Sequence, residues 1–428
     1  MLELNYIREY PDIVRKNLEK RQEPDKIKLL DKLLKTDEKW RALKKKTDEL
    51  RARRNKLSKE INEAKKKNKD ATTLLKEAKE IPKELEKTEK ELEKLQAKVK
   101  DCLMRIPNLL EPSVPYGKDD TENVTIREVG EKPKFDFEPL DHVALMEKWG
   151  LADLERAAKI SGARFYFILG KLARLELALL SYAADFLMKR GFLLTSPPYM
   201  INKKAYEGVT SLDDFEDELY KIEGEDLYCI ATSEHPLISQ FRDEVLEEDE
   251  LPKKLAGISP CFRKEAGTHG REDKGIFRVH QFNKVEQIIL CKPEESIAFF
   301  DELLKNIEDF FQSLGIPYRI VNICTGDIGI VAAKKYDLEG WMPGQNKYRE
   351  LGSCSNCTSY QAVRSNIKFL RKNKREYVHT LNNTCVATER ALVAILENFQ
   401  DEKGVVHIPE VLQKYCGFKT IGGKEEQS

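Results

Sequence analysis

The chain has 428 residues, 40% of them hydrophobic and 35% charged, with Lys+Arg and Asp+Glu balanced at 74 each. That length allows two or three domains, and no run approaches the ~18 apolar residues of a membrane span. Nine cysteines without framework spacing argue for reduced thiols, and the charged start MLELNYIREY lacks the apolar stretch of a secretory leader, so a cytoplasmic protein with no membrane partner is expected.

Charge is unevenly spread. Residues 1–100 hold 31 Lys+Arg against 21 Asp+Glu, a net of +10, which leaves −10 on the rest. A basic arm on an acidic body suggests a polyanionic partner, although a solvated helical face reads about as well. Residues 1 to about 25 read as a short amphipathic helix with a turn at Glu23-Pro24. A heptad register follows, with Trp40, Thr47, Arg54 and Ile61 at a, and Leu43, Leu50, Leu57 and Ala64 at d. The polar run Lys65–Asp70 interrupts it. A second register places Leu85, Leu92 and Val99 at a, and Thr88, Leu95 and Cys102 at d. The pair predicts a long antiparallel hairpin of about 60 Å. Arg54 and Thr88 are its weak spots, and Pro82 should kink or delay the second helix. This arm is expected over 1–110, followed by a Pro-rich linker over 111–134 and a body over 135–428.

In the body, short apolar runs alternate with helical patterns. Phe165–Leu169, Ile288–Cys291 and Tyr318–Val321 read as strands, and Leu172–Lys189 and Glu294–Leu314 as helices. The mixture predicts an α+β body on a largely antiparallel sheet. Four segments carry unusual polarity for their strand-like setting. They are Thr232-Ser233-Glu234 with its flanks; Arg263-Lys264-Glu265 leading through a charged loop to Arg278-Val279-His280-Gln281-Phe282 and Glu286; Arg349-Glu350-Leu351-Gly352-Ser353 through Cys357; and Asn382-Asn383-Thr384 leading through Arg390 into an apolar helix.

These segments resemble a known family. Arg263-x-Glu265, a loop, and Arg278 to Phe282 resemble motif 2 of the class II aminoacyl-tRNA synthetases. Arg390 opening an apolar helix resembles their motif 3, and Leu172 to Pro198 their dimer-forming motif 1. The segments at 232–234, 350–357 and 382–384 resemble those of the seryl enzymes in particular, and the basic hairpin resembles that family's tRNA-binding arm. The resemblance implies a class II antiparallel β-sheet core flanked by helices, carrying a long N-terminal coiled-coil hairpin. It also implies a homodimer whose arm reads the long variable arm of tRNA(Ser) and serves the other subunit.

The implied reaction joins L-serine to tRNA(Ser) with ATP. Serine's carboxylate is already an anion when it attacks the α-phosphate, so the site needs charge neutralisation and in-line positioning rather than a base. By resemblance, Arg263 and Arg390 are the catalytic residues. Arg263 holds the α-phosphate, Arg278 and Arg390 hold the β,γ-phosphates, and Glu350 with Ser353 carries Mg²⁺ through ATP. Phe282 stacks on adenine, with Lys264, Glu265, Val279, Leu351 and Gly352 around the nucleotide. Thr232 and Glu286 take the serine ammonium and Thr384 with Asn382 its hydroxyl, while Ser233 and Glu234 belong to the same pocket.

Cys354-x-x-Cys357 has no second pair at zinc spacing, although His379 and Cys385 could complete one. The seryl pattern implies no zinc. Glu389 departs from expectation: pointing inward beside Arg390 it would oppose ATP, and pointing outward it is harmless. The rival readings are a carrier-protein ligase, which would lack the arm, and an inactive RNA-binding paralogue, which would have lost Arg263, Glu286, Glu350 or Arg390.

Overall fold

The computed structural model describes residues 1–212, 216–265 and 275–423; residues 267–274 of the charged loop, which sequence alone does not resolve in detail, lie outside it. The chain divides into two compact units, Met1–Pro107 and Asn108–Ser428.

The first unit is helical throughout. The single opening helix expected from the sequence is two, α1 (Leu4–Glu9) and α2 (Pro11–Lys20). Pro11 forces the break, because the residue before a proline is driven out of the helical region, and Tyr10 sits at φ −127° and ψ 52°. Pro24 occupies the first turn of α3 (Pro24–Lys66), where its missing N–H costs nothing. After the turn comes α4 (Thr72–Arg105). The two long helices run antiparallel, since cross-pairs descend on one as they climb on the other: Lys46 with Glu84 at 2.7 Å, then Arg53 with Glu77 at 2.7 Å. At 1.5 Å per residue α3 spans about 65 Å.

Leu57, Ile81 and Leu85 form the buried seam, flanked by Leu50, Ile61, Leu74 and Ala78. Thr47 and Thr88 are tolerated there because each hydroxyl donates back to its own helix, to Leu43 O at 2.8 Å and Leu85 O at 3.1 Å. Arg54, assigned to the seam, is exposed. Its neighbour Arg53 is half-buried instead, pairing with Glu77 and with Glu60 at 3.0 Å. Pro82 neither starts nor delays α4, which begins ten residues earlier. The lost N–H bond is outweighed by burial of Ile81 and Leu85 on either side. Asp37, buried at 1% exposure, ties α1 to α3 through Arg8 at 2.6 Å, and pairs along its own helix with Arg41 at 3.0 Å.

The second unit is built on an eight-stranded sheet. Its strands are β1 (Val124–Val129), β2 (Leu193–Thr195), β3 (Lys253–Phe262), β4 (Gln281–Cys291), β5 (Tyr318–Asn322), β6 (Lys334–Met342), β7 (Lys347–Asn356) and β8 (His379–Ala387), in the order β1-β5-β6-β7-β8-β4-β3-β2. All neighbours are antiparallel except β2 with β3 at one edge. Three helices, α5 (Gly170–Met188), α6 (Ser296–Leu314) and α7 (Thr388–Asn398), pack on the sheet and share one large apolar core with it. The α+β body and helical hairpin are those expected.

The stretch 111–134, expected as a linker, contributes the edge strand β1, paired with β5. The amides of Asn108 and Glu111 also bond Ile330 O and Ala333 O, both at 2.9 Å. Five of the six β1 residues are exposed, and its apolar alternation is confined to Val124 and Ile126, broken by the irregularity between Thr125 and Arg127. The expected strand Phe165–Leu169 is reduced to Phe167–Ile168, pairing only with Ala152–Asp153. Among the described residues no helix is long and apolar enough to cross a membrane.

Leu57 is 1% exposed and packs with Ile81 and Leu85 in the hairpin core. Leu57→Ala is expected to cost the arm about 2–5 kcal/mol, seen as earlier loss of helical circular dichroism in a denaturant titration with the body's transition unmoved.

Candidate active site

The alternation of β4 builds one wall of a cavity of about 110 Å³. Phe282, Lys284 and Glu286 face it, while Gln287 turns away and bonds Asn306 of α6 at 2.8 Å. β8 supplies Asn382 and Thr384 from the next strand, with Thr384 directly opposite Glu286. The intervening Asn383 faces the other way and donates to Ser353 O at 3.0 Å, fastening β8 to β7. A bulge between Thr384 and Val386 re-phases the strand so that Ala387 again lines the cavity.

Glu286, 1% exposed, is surrounded by donors. Thr384 Oγ1 donates to it at 3.0 Å and Asn382 Nδ2 at 3.4 Å, and Lys284 forms a tight ion pair with it. Lys284 Nζ also donates to Thr232 Oγ1 at 2.9 Å. Glu234 lies in the same wall and accepts from Gln361 at 2.7 Å. Burial and the nearby Glu286 push its carboxyl up to about 7, against the pull of Gln361, Lys284 and Arg263. The same burial, with Lys284 and Arg263 close by, drops His235 to about 3 and keeps it neutral.

The other end of the cavity concentrates guanidinium groups. Arg263, at the end of β3, donates from Nε to Ala231 O at 3.2 Å and lies 5.3 Å from the Phe282 ring centre. Arg390, in the first turn of α7, reaches both the main-chain oxygen and the carboxylate of Glu350 at 3.0 Å. Its guanidinium rests over Phe277, which Arg349 also covers. Enclosure by protein raises the Glu350 carboxyl, but Arg390, Lys335 and Arg263 more than offset this and hold it at about 2. Glu389 points inward: it is 3% exposed, lines the cavity and stands 3.8 Å from Arg390. Burial lifts it to about 7, with Glu176 adding to the rise and Arg390 and Arg263 opposing it.

Twelve of the sequence-predicted residues meet in this cavity: Thr232, Glu234, Arg263, Phe282, Glu286, Glu350, Leu351, Gly352, Ser353, Asn382, Thr384 and Arg390. Ser233 does not: it is fully buried behind the wall, and its hydroxyl donates to Gly257 O at 3.4 Å. Lys264, Glu265, Arg278 and Val279 do not line it either. The Lys264 amide bonds Glu218 O at 2.9 Å, Glu265 accepts from Arg278 at 2.7 Å, and Val279 is buried. His280 and Arg263 are joined by two bonds, the Arg263 amide donating to His280 O at 2.9 Å and the His280 ring Nδ1 meeting Arg263 O at 2.9 Å. Three cavity residues had no role assigned from sequence, Lys284, Ala387 and Glu389, the last having been read either way. The signal for Lys284 was the strand's own period of two, which puts residues 282, 284 and 286 on one face.

Cys354 and Cys357 are buried, and burial raises both thiols well above their ordinary value. Their sulfurs face Phe300 O and Asn382 Oδ1. Among the described residues no group of three or more His, Cys, Asp or Glu is arranged to hold a metal ion, so a cation at Glu350 and Ser353 would need ligands from a bound molecule.

Two family models and several known proteins match this chain. Residues 1–110 match the seryl-tRNA synthetase N-terminal domain, and residues 215–399 match the tRNA synthetase class II core domain for G, H, P, S and T. A serine–tRNA ligase of Methanocella arvoryzae is 55% identical, covering 97% of this chain and 98% of its own. One from Thermococcus onnurineus is 51% identical over 98% and 97%. The crystal structure of a seryl-tRNA synthetase from Pyrococcus horikoshii complexed with ATP superposes with a TM-score of 0.95 at 48% identity, covering 99% of this chain and 100% of that one. A cytoplasmic serine–tRNA ligase from Naegleria fowleri in complex with AMP gives 0.89 at 38% identity over 99% of each.

Gly352 shows how little slack the cavity's floor has. A Cβ there would lie 2.8 Å from Ile307 Cδ1 and 3.0 Å from both Thr384 Cβ and Thr384 O. Gly352→Ala is therefore expected to destabilise the body by about 1–3 kcal/mol, read by denaturant unfolding; an unchanged midpoint would mean that β7 and β8 separate more easily than their register implies.

Proposed function

The chain belongs to the seryl-tRNA synthetase family, and from that premise we propose which of its side chains carry the reaction. The enzyme is an ATP-dependent ligase. Serine's carboxylate attacks the α-phosphate of ATP, diphosphate leaves, and the seryl group of the adenylate passes to the 3′ end of tRNA(Ser) as AMP departs.

The observation that carries the assignment is one cavity holding a buried carboxylate ringed by Thr232, Thr384 and Asn382 at one end and paired guanidiniums at the other. The first end suits serine. Glu286 and Thr232 take its ammonium, supported by Glu234, and Thr384 with Asn382 takes its hydroxyl. A substrate lacking that hydroxyl leaves buried polar groups unpaired, which is costly. Threonine differs by a methyl and is opposed only by shape, a weaker filter.

The second end suits the nucleotide. Arg263 orients the α-phosphate and the attacking carboxylate. Arg390 and Arg278 hold the outer phosphates, two of whose oxygens match the planar guanidinium fork. Phe282 offers its ring to adenine, with Glu265 and the main chain at Val279 near the base edge and Lys264 outside it. Glu350, ionised at any physiological pH, and the Ser353 hydroxyl are hard oxygen donors that fit Mg²⁺. Mg²⁺ bound there with ATP would neutralise phosphate charge.

The arm serves tRNA. Lys65, Lys66, Lys67 and Lys69 crowd its turn and are all exposed, suiting salt-sensitive contact with phosphate backbone. A homodimer joins through the β2 edge, where Leu193 and Leu194 are exposed beside Leu177 and Met188 of α5. Nine free cysteines suit a reducing cytoplasm.

Exchange of labelled diphosphate into ATP, run with each of the twenty amino acids, is expected with serine alone; no exchange with any of them from folded, Mg²⁺-supplied protein would sink the assignment. The pH dependence follows from two carboxyls lifted to about 7. As pH rises through that value Glu234 gains a negative charge beside the ammonium site, so KM for serine falls. Glu389 gains one beside Arg390, so KM for ATP rises. Glu389→Gln should lower KM for ATP about fivefold near pH 8, the effect of roughly 1 kcal/mol from one like charge. Near pH 6, where Glu389 is largely protonated, variant and parent should converge.

A further inference from the structure

Among the described residues, Lys284 is the one cation lining the serine pocket that has no role in the proposed reaction. It is 5% exposed, on a strand whose neighbours on both sides are buried. Its Nζ bonds Thr232 Oγ1 at 2.9 Å and pairs with Glu286 Oε2. Those are the two groups assigned to the ammonium of serine. An ammonium thus already sits on the ammonium site, and it belongs to the chain.

Resting on that assignment, we propose that Lys284 is an exchangeable stand-in for the substrate's ammonium, which makes the pocket recognise an α-amino-acid zwitterion rather than an amine. Glu286 Oε2 already accepts from Thr384 as well as Lys284, and Thr232 offers a single hydroxyl. A second ammonium on the same acceptors would lie a few ångström from the first inside a buried wall, where like charges repel strongly. Lys284 must therefore leave as the substrate arrives. An α-amino acid supplies its destination, because the carboxylate stands two bonds from the nitrogen that displaces it. The lysine side chain, with four rotatable bonds and a compact charge, can follow that short shift.

The exchange converts one ion pair into two: substrate ammonium on Glu286, and Lys284 on the substrate carboxylate. No charge is left unpaired in either arrangement. It also delivers a cation to the carboxylate that attacks the α-phosphate, next to Arg263. An amine with serine's hydroxyl but no carboxylate would evict Lys284 and give it nowhere to go. The lysine thereby ties serine binding to the presence of the group that reacts.

The test compares serine with serinol, which keeps the ammonium and hydroxyl and lacks the carboxylate. Diphosphate exchange by the parent enzyme with serine first establishes the assignment on which the proposal rests. In Lys284→Met, serinol is expected to inhibit exchange about tenfold more tightly than in the parent, while KM for serine rises about tenfold and kcat falls. A gain of affinity for the amine cannot arise from damaged folding. Unchanged or weakened serinol inhibition in folded Lys284→Met, or in Lys284→Gln where the methionine variant does not fold, overturns the proposal. A crystal structure of the parent enzyme with serine decides without any variant. Lys284 Nζ within hydrogen-bond distance of the serine carboxylate supports the exchange. Lys284 still bonded to Thr232 and Glu286, with serine's ammonium shared between Glu286 and Glu234, rules it out.

Discussion

A carboxylate buried to the extent of Glu286 must be matched by donors, and most of the site's geometry follows from that requirement. It sits mid-strand, so its partners have to come from the same face of its own strand or from the strand alongside. Lys284, two residues earlier, satisfies the first condition, and Thr384, directly opposite on β8, the second. Asn382 joins from the next same-face position of β8. A one-residue slip of β8 against β4 would turn Thr384 into the helical layer and leave the acid unpaired. The opposite face guards against that slip with its own buried amides, Gln287, Asn306 and Asn383, bonded in series. The register is thus over-determined from both sides, and the serine end of the cavity is fixed before any substrate arrives.

What the sequence disclosed depended on whether an element carries its own periodicity. The arm's helices were legible because heptads repeat, and even so Arg54 and Arg53 exchanged places: a flexible side chain one position off the seam can reach the cross-helix carboxylate of Glu77 while the heptad residue turns to solvent. β1 was illegible because an exposed edge strand has no buried face to pattern. The site residues were read from motif context, which names positions but not directions. Ser233 lies between two cavity residues and faces the sheet, since the chain turns into a short helix there. Lys284 was visible in the same segment as Phe282 and Glu286, but a motif match assigns roles only to residues it already knows. Glu389 could be read either way from sequence, since the first turn of α7 leaves its direction to tertiary packing.

The two units solve the problem of binding a polyanion in different ways. The arm carries a surplus of positive charge, with a basic turn and many internal pairs such as Arg51 with Glu89 and Arg53 with Glu77 along its length. Its attraction for phosphate is a field effect and is open to screening by salt. The body is acidic overall, so its hold on ATP cannot come from net charge. It relies on a few guanidiniums brought within direct contact and shielded from solvent, where a bidentate bond to phosphate outweighs the unfavourable background.

Those guanidiniums need to be held in place without being fully neutralised. Arg390 shows how this is arranged. Its head bonds Glu350 and leans on Phe277, whose ring is shared with Arg349, so orientation comes partly from a neutral aromatic face. The second nearby acid, Glu389, has no hydrogen-bond partner at Oε2 among the described residues and a carboxyl lifted to about 7. An acid in that condition is a conditional counter-ion. Ionised, it adds a second counter-ion to Arg390 beside Glu350; protonated, it stops competing with a phosphate for the same guanidinium. The proton it takes up as phosphate charge enters would come from solvent rather than from a reacting group, so Glu389 can adjust the electrostatics of the nucleotide end without taking part in the chemistry. Lys284 does the equivalent at the serine end by moving a charge instead of titrating one. In both places a buried group of the chain balances the site's charge and then yields to the substrate that replaces it.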